Sequence, residues 1–358
     1  MSSPALVARP RRVLLRVMTY NLLVGGRGRW PAITQLVAQA RPDLLALQEA
    51  DDLPAVQRLA DELGYQCVPG SANMPRHQAV LTRWSVQRRI NHRERAIFLR
   101  NSLELEVATP AGAAVPAIRL HTVHLPAAFQ RRGRGEPDRL RELAAVLRHA
   151  GRDPDTPHLI CGDFNAVAPG DPVAATAFFG RLGQLHRTGE LDLAGAVRSP
   201  PGLLQRLYRG DGGGQGPVGD ETDPEWPGGE PLPPELRPGL PRLPWALPAL
   251  LEALPRGPVT DAVLGSFLPR AAVQSLLDRG YADCRPRTRS GAPAFTCPTY
   301  GPAVRIDYIF ASPWLAGRRR RAAVVGLEGR HARLARQASD HFPVLAEFDL
   351  TAHARAAG

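Results

Sequence analysis

The sequence predicts an α/β protein whose sheets contain hairpins. Short apolar runs with strand character alternate with helical stretches from about residue 16 onward. The middle runs alternate hydrophobic and polar residues, which is typical of antiparallel neighbours and not of a wholly parallel core. The chain has 358 residues, 44% of them hydrophobic, which is enough for one large domain or two ordinary ones.

Strand and helix signals follow one another along the chain. Pro42 closes the first predicted helix and Gly64 ends the second, as helix-stop residues do. Helices are predicted at residues 30–42, 53–64 and 138–151. Strands are predicted at residues 16–24, 43–50, 78–84, 95–107, 117–125, 158–165, 304–312 and 342–350.

One segment, residues 199–258, breaks this alternation. It contains 14 Pro and 11 Gly, so 25 of its 60 residues oppose a long helix or a central strand. We predict a loop inserted within one domain, because the motifs after it complete those before it. Its apolar end, LPRLPWALPALLEALPRG, is predicted to dock on the protein body, with membrane or partner contact as the alternative.

The net charge of +11 suits a polyanionic partner such as nucleic acid. The sequence has no lysine, so its 45 basic residues are all arginine, and with 34 Gly and 36 Pro this indicates a compositional bias. Charge therefore favours a nucleic-acid or phosphate ligand only slightly. No run of residues has the length and apolarity of a signal peptide or membrane helix, so we expect no integral membrane segment and a cytoplasmic protein.

The cysteines give no sign of a structural metal site. The four are Cys67, Cys161, Cys284 and Cys297, and no two of them form a C-x-x-C pair. A structural zinc site built on cysteine is therefore not expected. We expect reduced thiols, with a disulfide between Cys284 and Cys297 as the alternative.

Polar residues end or interrupt several predicted strands. In LICGDFNA, Asp163 and Asn165 are two residues apart, so their side chains share one face of an extended chain. Each such residue also has an ordinary explanation. GDxN can be a turn, His124 can be a buried core histidine, and Asp307 can pair with Arg305. The remaining members of the set are Asn21, Glu49, Asp340 and His341.

Taken in chain order, the motifs that carry these residues read TYN, LQE, VHL, GDFN, IDYIF and SDHFP. In this order the sequence resembles the endonuclease/exonuclease/phosphatase superfamily, which includes deoxyribonuclease I, AP endonucleases, inositol polyphosphate 5-phosphatases and neutral sphingomyelinases. The resemblance covers residues 13–350 and implies a single domain between flexible termini 1–12 and 351–358. It also implies a four-layer α/β sandwich, in which two packed mixed β-sheets are flanked by helices on both outer sides.

The resemblance further implies a hydrolytic site. His341 is the expected general base, because imidazole titrates near neutrality, and Asp307 is expected to orient it. Glu49, helped by Asn21 and Asp340, offers the hard oxygen ligands that Mg²⁺ or Mn²⁺ takes. A histidine–aspartate pair and a divalent metal ion are thus expected side by side.

Other residues are expected to handle the phosphate. By resemblance, Asp163 positions the attacking water or assists the leaving group, and the Asn165 amide donates to a non-bridging phosphate oxygen. His124 is expected to contact the scissile phosphate and to serve as acid, with His121 as the alternative histidine. Glu94 is expected to support that histidine, and the alternative for Glu94 is an ordinary surface position.

Arginines are the candidates for contacts with flanking phosphates. Arg131, Arg132 and Arg134 lie in a glycine-containing loop just beyond His124 and are predicted to grip such phosphates. A second run, residues 318–321, is either a DNA contact or simply a solvated face.

The predicted function is metal-dependent hydrolysis of phosphodiester bonds, with a deoxyribonuclease I-like nuclease as the leading hypothesis. AP endonucleases usually follow the first Asn with an N-G-type motif, whereas Asn21 is followed by LLVGGRGRW, which disfavours that repair activity. The alternatives are a phosphatase or sphingomyelinase/phospholipase C-like hydrolase on a small or lipid-linked phosphate ester, and a non-catalytic binding protein. Non-catalytic relatives are expected to lose a histidine or metal acid, and here all are present.

Overall fold

Two six-stranded β-sheets form the centre of the protein. The computed structural model describes residues 12–127, 135–152, 156–187 and 255–352. Most of the predicted insertion and most of both predicted flexible termini lie outside the described residues. Among the residues that are described, no helix is long and apolar enough to cross a membrane.

The first sheet consists of β1 (Leu14–Asn21), β2 (Leu44–Gln48), β3 (Gln66–Pro69), β4 (Gln78–Thr82), β11 (Arg319–Val324) and β12 (Val344–Asp349). Its strand order is β11-β12-β1-β2-β4-β3. β1 and β2 run parallel, and Asn21 pairs with Gln48 at their carboxyl ends. The other neighbouring strands of this sheet run antiparallel.

The second sheet consists of β5 (Val86–His92), β6 (Ser102–Ala108), β7 (Ala117–His124), β8 (His158–Asp163), β9 (Ala282–Asp283) and β10 (Asp307–Ala311). Its strand order is β5-β6-β7-β8-β10-β9. β7 and β8 run parallel, and the other neighbouring strands run antiparallel. Both sheets are therefore mixed, as the alternating pattern of the middle strands predicts.

Eight helices are described around the two sheets. They are α1 (Trp30–Ala40), α2 (Leu53–Leu63), α3 (Gly135–Ala150), α4 (Ala175–Arg187), α5 (Pro258–Ser266), α6 (Ala271–Leu277), α7 (Pro313–Ala316) and α8 (Ala332–Ala338). The ends of α2 follow from its sequence. The Asp52 side chain accepts the N–H of Ala55 at its start, and Gly64 ends it with a left-handed φ of 71°.

Hydrophobic side chains fill three layers. Along β1, Leu15 and Val17 point into the layer between the sheets, whereas Met18 and Tyr20 point outward onto α1, α2 and α8. The outer face of the second sheet packs on α3 and α6 through a cluster that includes Val123, Ile160, Phe310, Val146 and Val273. Each such side chain contributes about 1.5–3 kcal/mol when fully buried. The expected four-layer α/β sandwich is confirmed.

The structure differs from the predicted elements in the extent of one strand and in elements that the sequence pattern does not predict, which are β3, β5, β9, β11 and α4 to α8. The predicted strand at residues 95–107 begins only at Ser102, because residues before it form a turn in which Ile97 and Phe98 donate to the Glu94 carbonyl. The edge strands β5 and β11 were not predicted, since arginines occupy their outward positions and interrupt the apolar pattern. All four cysteines are free thiols, so the alternative disulfide does not form.

The two parallel strand pairs determine where the polar strand ends meet. In the second sheet, the register places His124 beside Asp163, and Asp163 beside Asp307 on the other side. Asn21 ends β1 in the facing sheet, and Glu49 follows β2 directly. Residues distant in sequence are thereby brought to one edge of the sandwich.

Gly162 explains the glycine of the GDFN motif. Its φ is 146°, and a Cβ added there would lie 1.8 Å from the carbonyl oxygen of Val123 on the neighbouring strand. Only glycine allows β8 to approach β7 this closely at the residue before Asp163.

We expect Gly162→Ala to destabilise the protein by roughly 3 kcal/mol or more, because neither strand can move without losing the pairing that places Asp163. Urea denaturation measures the loss. Gly64→Ala is the matched control, since Gly64 also has positive φ but has no atom within 4 Å of an added Cβ. That control should cost only about 1 kcal/mol, and equal losses in the two variants would contradict the steric explanation.

Candidate active site

Asp307 and His341 form a buried pair at the edge where the strand ends meet. Nδ1 of His341 lies 2.9 Å from Oδ2 and 3.1 Å from Oδ1 of Asp307. Asp307 is the first residue of β10, and His341 lies in the loop that precedes β12. Arg305, the alternative partner of Asp307, instead forms ion pairs with Asp171 and Asp283. The Asp307 side chain therefore pairs with His341 and not with Arg305.

The Asp307 carboxylate also sets the charge of His341. Burial disfavours the charged ring, but Asp307 holds the pKa of His341 well above its ordinary range. The backbone N–H of Asp307 donates to the Thr296 hydroxyl at 3.2 Å, which fixes the start of β10. Because Nδ1 is bonded to Asp307, Nε2 is the ring nitrogen that can exchange a proton. That nitrogen lies 3.7 Å from Sγ of Cys297.

Asp163 joins the two sheets at the site. Its Oδ2 accepts a hydrogen bond from Nδ2 of Asn21 at 3.0 Å, across the space between the sheets. Its Oδ1 accepts the backbone N–H of Asn165 at 2.9 Å. Burial and the neighbouring Asp307 raise the pKa of Asp163 above its usual value, although His341 and these hydrogen bonds oppose the change. A buried carboxyl with a raised pKa can carry a proton near neutral pH.

Asn165 and Asn21 are both fixed by neighbouring backbone. Asn165 has a left-handed φ of 47°, and its Nδ2 donates to the carbonyl of Leu125 at 3.0 Å. The side chain is half-buried, so its second amide hydrogen and its oxygen remain for other contacts. Oδ1 of Asn21 accepts the N–H of Leu23 at 3.0 Å, which leaves that oxygen one further lone pair.

His124 lies between two carboxylates. Its Nε2 is 3.6 Å from Oδ2 of Asp163 and 3.9 Å from Oε1 of Glu49. Burial and the charge of Arg100 hold the pKa of His124 well below its ordinary range, so the ring is neutral at neutral pH. His121 lies three residues earlier on the same strand and points to the opposite face, where its ring meets His158 edge-on. Of these two histidines, only His124 reaches the strand-end cluster.

Glu49 is held by an arginine that sequence reasoning missed. Oε2 of Glu49 accepts the backbone N–H of Val24 at 2.7 Å and forms an ion pair with Nε of Arg76 at 3.1 Å. Arg76 also donates from its backbone N–H to Asp51 at 2.7 Å and pairs with the same carboxylate through its guanidinium. Its φ of 94° is unusual for a residue with a side chain, so these contacts hold a strained backbone.

The oxygen atoms at this edge form a donor set that fits a hard divalent cation. Glu49 contributes a carboxylate whose Oε1 is not paired with Arg76, and Asp340 contributes a second, half-buried carboxylate. Burial is the main cause of the raised pKa of Asp340; the charge of His341 opposes the rise and that of Glu49 adds to it. Carboxylate oxygens of this kind are the ligands that a hard divalent cation takes. One ligand atom each from Asp163, Asp307 and His341 also lie within 4.8 Å of one another.

Some predicted residues lie elsewhere or outside the described part of the chain. Glu94 is exposed in the turn after β5 and groups with His92 and His149, so the prediction that it supports His124 needs correction. The carboxylates that approach His124 are those of Glu49 and Asp163.

The predicted phosphate contacts of Arg131, Arg132 and Arg134 fall on residues outside the described ranges. Most of the run at residues 318–321 lies on the exposed edge strand β11. There Arg321 pairs with Glu347, and the guanidinium of Arg318 stacks 3.6 Å from the centre of the Trp314 ring. This run is a solvated strand edge in the structure.

Arg100 and Glu142 support the strand end that carries His124, and the sequence pattern does not predict either of them. NH1 of Arg100 donates to the carbonyl of His124 at 3.1 Å. Oε1 of Glu142, on α3, accepts the N–H of Leu99 at 2.7 Å and so fixes the turn that carries Arg100. Burial raises the pKa of Glu142 to about 7, although the bond from Leu99 and the charge of Arg100 oppose the rise. The sequence signal that could have identified Glu142 is a charged residue on the buried face of the helix predicted at residues 138–151.

Comparison with known proteins identifies the family. The sequence profile of the endonuclease/exonuclease/phosphatase family matches residues 18–341, from β1 to the end of the site. The chain therefore belongs to this family, and the protein is a phosphoesterase of the endonuclease/exonuclease/phosphatase superfamily. No curated protein matches the sequence.

Solved structures share the fold at low sequence identity. An AP endonuclease from Archaeoglobus fulgidus is 15% identical with a TM-score of 0.56, covering 93% of this chain and 99% of its own. A family protein from Bacteroides thetaiotaomicron is 15% identical with a TM-score of 0.55, covering 96% and 100%. The 3′ phosphatase NExo from Neisseria, bound to a product DNA hairpin, is 18% identical with a TM-score of 0.53, covering 94% and 99%. These similarities establish the deoxyribonuclease I-like fold.

We expect Glu142→Gln to change how stability depends on pH. The pKa of Glu142 is raised from 4.5 to about 7 in the folded protein, so the folded state binds more protons than the unfolded chain between these values. The stability that neutral Glu142 contributes is complete below pH 4.5 and is lost as the pH rises through about 7. Gln keeps the acceptor for Leu99 and does not titrate.

From about pH 5 to about pH 8, Glu142→Gln should gain stability relative to the unsubstituted protein, by on the order of 2 kcal/mol. Urea denaturation at the two pH values measures this gain. Glu62→Gln on the exposed face of α2 is the matched control. A stability difference that stays constant over this pH range would contradict the burial of an ionisable Glu142.

Proposed function

We propose that the protein is a metal-dependent nuclease that hydrolyses phosphodiester bonds, as deoxyribonuclease I-like enzymes do. The observation that carries the proposal is the buried Asp307–His341 pair beside Asp163, with a carboxylate set for a cation on the facing sheet. A binding protein that had lost catalysis would gain nothing from keeping these buried charges together, because each costs stability.

The proposed chemistry begins with a water molecule near Nε2 of His341. The raised pKa keeps His341 charged before substrate binds, so the ring first releases its Nε2 proton and then takes a proton from that water, while Asp307 orients the ring and stabilises its charged form. The water oxygen bonds to phosphorus, and the bond from phosphorus to the leaving oxygen breaks. Asp163 is the candidate to protonate that leaving oxygen, because its raised pKa suits a proton donor.

Neutral donors are proposed to hold the phosphate. His124 is kept uncharged by burial and Arg100, so it donates a hydrogen bond to a phosphate oxygen and does not act as the acid. The free amide hydrogen of Asn165 is proposed to donate to a non-bridging oxygen. Arg76 is proposed to leave Glu49 and pair with the substrate phosphate, since a guanidinium binds phosphate well.

Glu49, Asp340 and Asn21 are proposed to hold Mg²⁺ or Mn²⁺. Such an ion stabilises negative charge that develops on the phosphoryl oxygens. The donor set supports this proposal because it consists of hard carboxylate and amide oxygens, with Arg76 already balancing one of them.

The proposed substrate class is nucleic acid. The net charge of +11 supports a polyanionic substrate. Because all 45 basic residues are arginine, which indicates a compositional bias, the charge is weaker support than its size suggests. The proteins of related fold include an AP endonuclease and a 3′ phosphatase bound to DNA. At 15% and 18% sequence identity, these similarities support a shared fold and not a shared substrate. Small or lipid-linked phosphate esters are therefore included in the test.

We also propose that residues 13–350 form a single domain of a cytoplasmic protein, with the segment at about 199–258 inserted into it. In support, strands that follow the segment complete both sheets. β12 pairs with β1 in the first sheet, and β10 pairs with β8 in the second. Two independent domains would not exchange central strands in this way.

Activity measurements test the proposal. Protein freed of metal with EDTA is supplied with Mg²⁺ or Mn²⁺ and plasmid DNA, RNA, a nitrophenyl phosphodiester, nitrophenyl phosphate or sphingomyelin. We expect metal-dependent cleavage of DNA and of the phosphodiester. His341→Ala and Asp307→Asn should lower kcat by about 10²–10⁴, because the general base or its orientation is lost. His331→Ala, outside the site, is the matched control.

The outcomes separate the alternatives. Release of phosphate from nitrophenyl phosphate, or cleavage of sphingomyelin, without cleavage of any nucleic acid would replace the nuclease proposal with a phosphatase or lipid hydrolase. Binding of DNA without turnover of any substrate would favour the non-catalytic alternative. Unchanged activity in folded His341→Ala protein would reject the proposed base.

A further inference from the structure

A second group of histidines lies away from the candidate active site. His92 ends β5, His121 lies on β7, and His149 lies in the last turn of α3, all on the outer face of the second sheet or the helix that covers it. Side chains alternate along β7, so this face is opposite to the one from which His124 enters the active site. Glu104 pairs with His121 in the strand register and belongs to the same group.

A buried carboxylate fixes the His92 ring. Nε2 of His92 lies 2.9 Å from Oε2 of Glu104, and both side chains are almost completely buried. Burial alone would raise the pKa of Glu104, but the hydrogen bond from His92 lowers it to about 2. An ionised carboxylate can only accept, so Nε2 of His92 donates. In the neutral ring, Nδ1 then carries the lone pair, as in carboxylate-oriented histidine ligands of metal ions.

The His149 ring stacks on that of His92. The ring centres are 3.9 Å apart and the planes differ by 13°. Nδ1 of His149 is buried and has no hydrogen-bond partner within the described ranges. Burial and the neighbouring His92 lower the pKa of His149, so its ring is neutral at neutral pH and able to act as a ligand.

Glu94 completes a set of three ligands. It lies two residues after His92 and is exposed to solvent, so an ion has a path to the site. One ring nitrogen each of His92 and His149 and a carboxylate oxygen of Glu94 lie within 4.8 Å of one another. We propose that His92, Glu94 and His149 bind a transition-metal ion, Zn²⁺ above all, with Glu104 orienting His92.

The donor set selects the class of metal. Two imidazoles and one carboxylate suit Zn²⁺ and similar ions, whereas Mg²⁺ prefers oxygen ligands throughout. Three protein ligands leave a fourth position for water. Because the two rings are stacked in parallel, their nitrogen lone pairs do not point at a common position. Binding one ion therefore requires the partly exposed His149 ring to rotate out of the stack and toward the ion.

The ion would connect two elements that support the active site. Glu94 and His92 flank the start of the turn that leads to Arg100, and His149 lies at the end of α3. Glu142, on the same helix, already bonds to that turn through Leu99. Bound Zn²⁺ would form a second link between α3 and the turn. It would therefore stabilise the folded protein. The proposal does not depend on the proposed nuclease activity.

Zinc binding to the full-length protein tests the proposal. Metal-free protein is titrated with Zn²⁺ in excess Mg²⁺ by calorimetry, and retained zinc is counted by mass spectrometry after gel filtration. Wild-type protein should bind one Zn²⁺ that His149→Ala and Glu94→Gln do not retain. Glu104→Gln should weaken this binding by about 10–100-fold. His331→Ala is the histidine control, and His341→Ala, which alters the active site, should keep this ion.

Thermal unfolding gives an independent readout. Zn²⁺ should raise the Tm of wild-type and His341→Ala protein, and should leave that of Glu94→Gln unchanged, because a ligand stabilises only the state that binds it. Glu94 is exposed, so this variant folds even where His149→Ala does not. Zinc binding of equal affinity in wild type, His149→Ala and Glu94→Gln would overturn the proposal. So would zinc that is lost only from His341→Ala.

Discussion

The structure depends on the hydrogen bond between Nδ2 of Asn21 and Oδ2 of Asp163, 3.0 Å long and buried between the two sheets. A carboxyl in this position loses its hydration, so its partners must come from the protein. Asn21 supplies one partner from the first sheet, and the N–H of Asn165 supplies another. The bond thereby fixes the relative position of the two sheets at the edge where Glu49 faces His124.

Charge balance at this edge links stability to chemistry. Asp163 and Asp307 are register neighbours, so the charge of Asp307 adds to burial in raising the pKa of Asp163. The charge on His341 offsets this repulsion, and Arg76 does the same for Glu49 on the facing sheet. A site with balanced internal charges is stable without ligands. A metal ion can then replace Arg76 beside Glu49, and the released guanidinium can pair with the substrate phosphate.

The sequence predicts which polar residues lie at the strand ends, but it does not predict the contacts that support them. Both outcomes have physical causes. The predicted residues at the ends of parallel strands converge because strand direction and side-chain alternation fix their positions, as for Asp163 beside His124. Arg76 was missed because its position depends on a loop with φ of 94°, which no periodicity encodes. Glu94 was misassigned because the predicted strand at residues 95–107 is a turn until Ser102.

The position of a bound Mn²⁺ ion tests the central claim most directly. Anomalous scattering from crystals soaked in Mn²⁺ should show a peak at roughly 2.1 Å from the Glu49 carboxylate, a distance typical of a small divalent cation. The Arg76 guanidinium should then have moved from its present position, 3.1 Å from Oε2 of Glu49. A peak elsewhere, with Arg76 still paired to Glu49, would contradict the account of this edge as a metal-dependent phosphoesterase site.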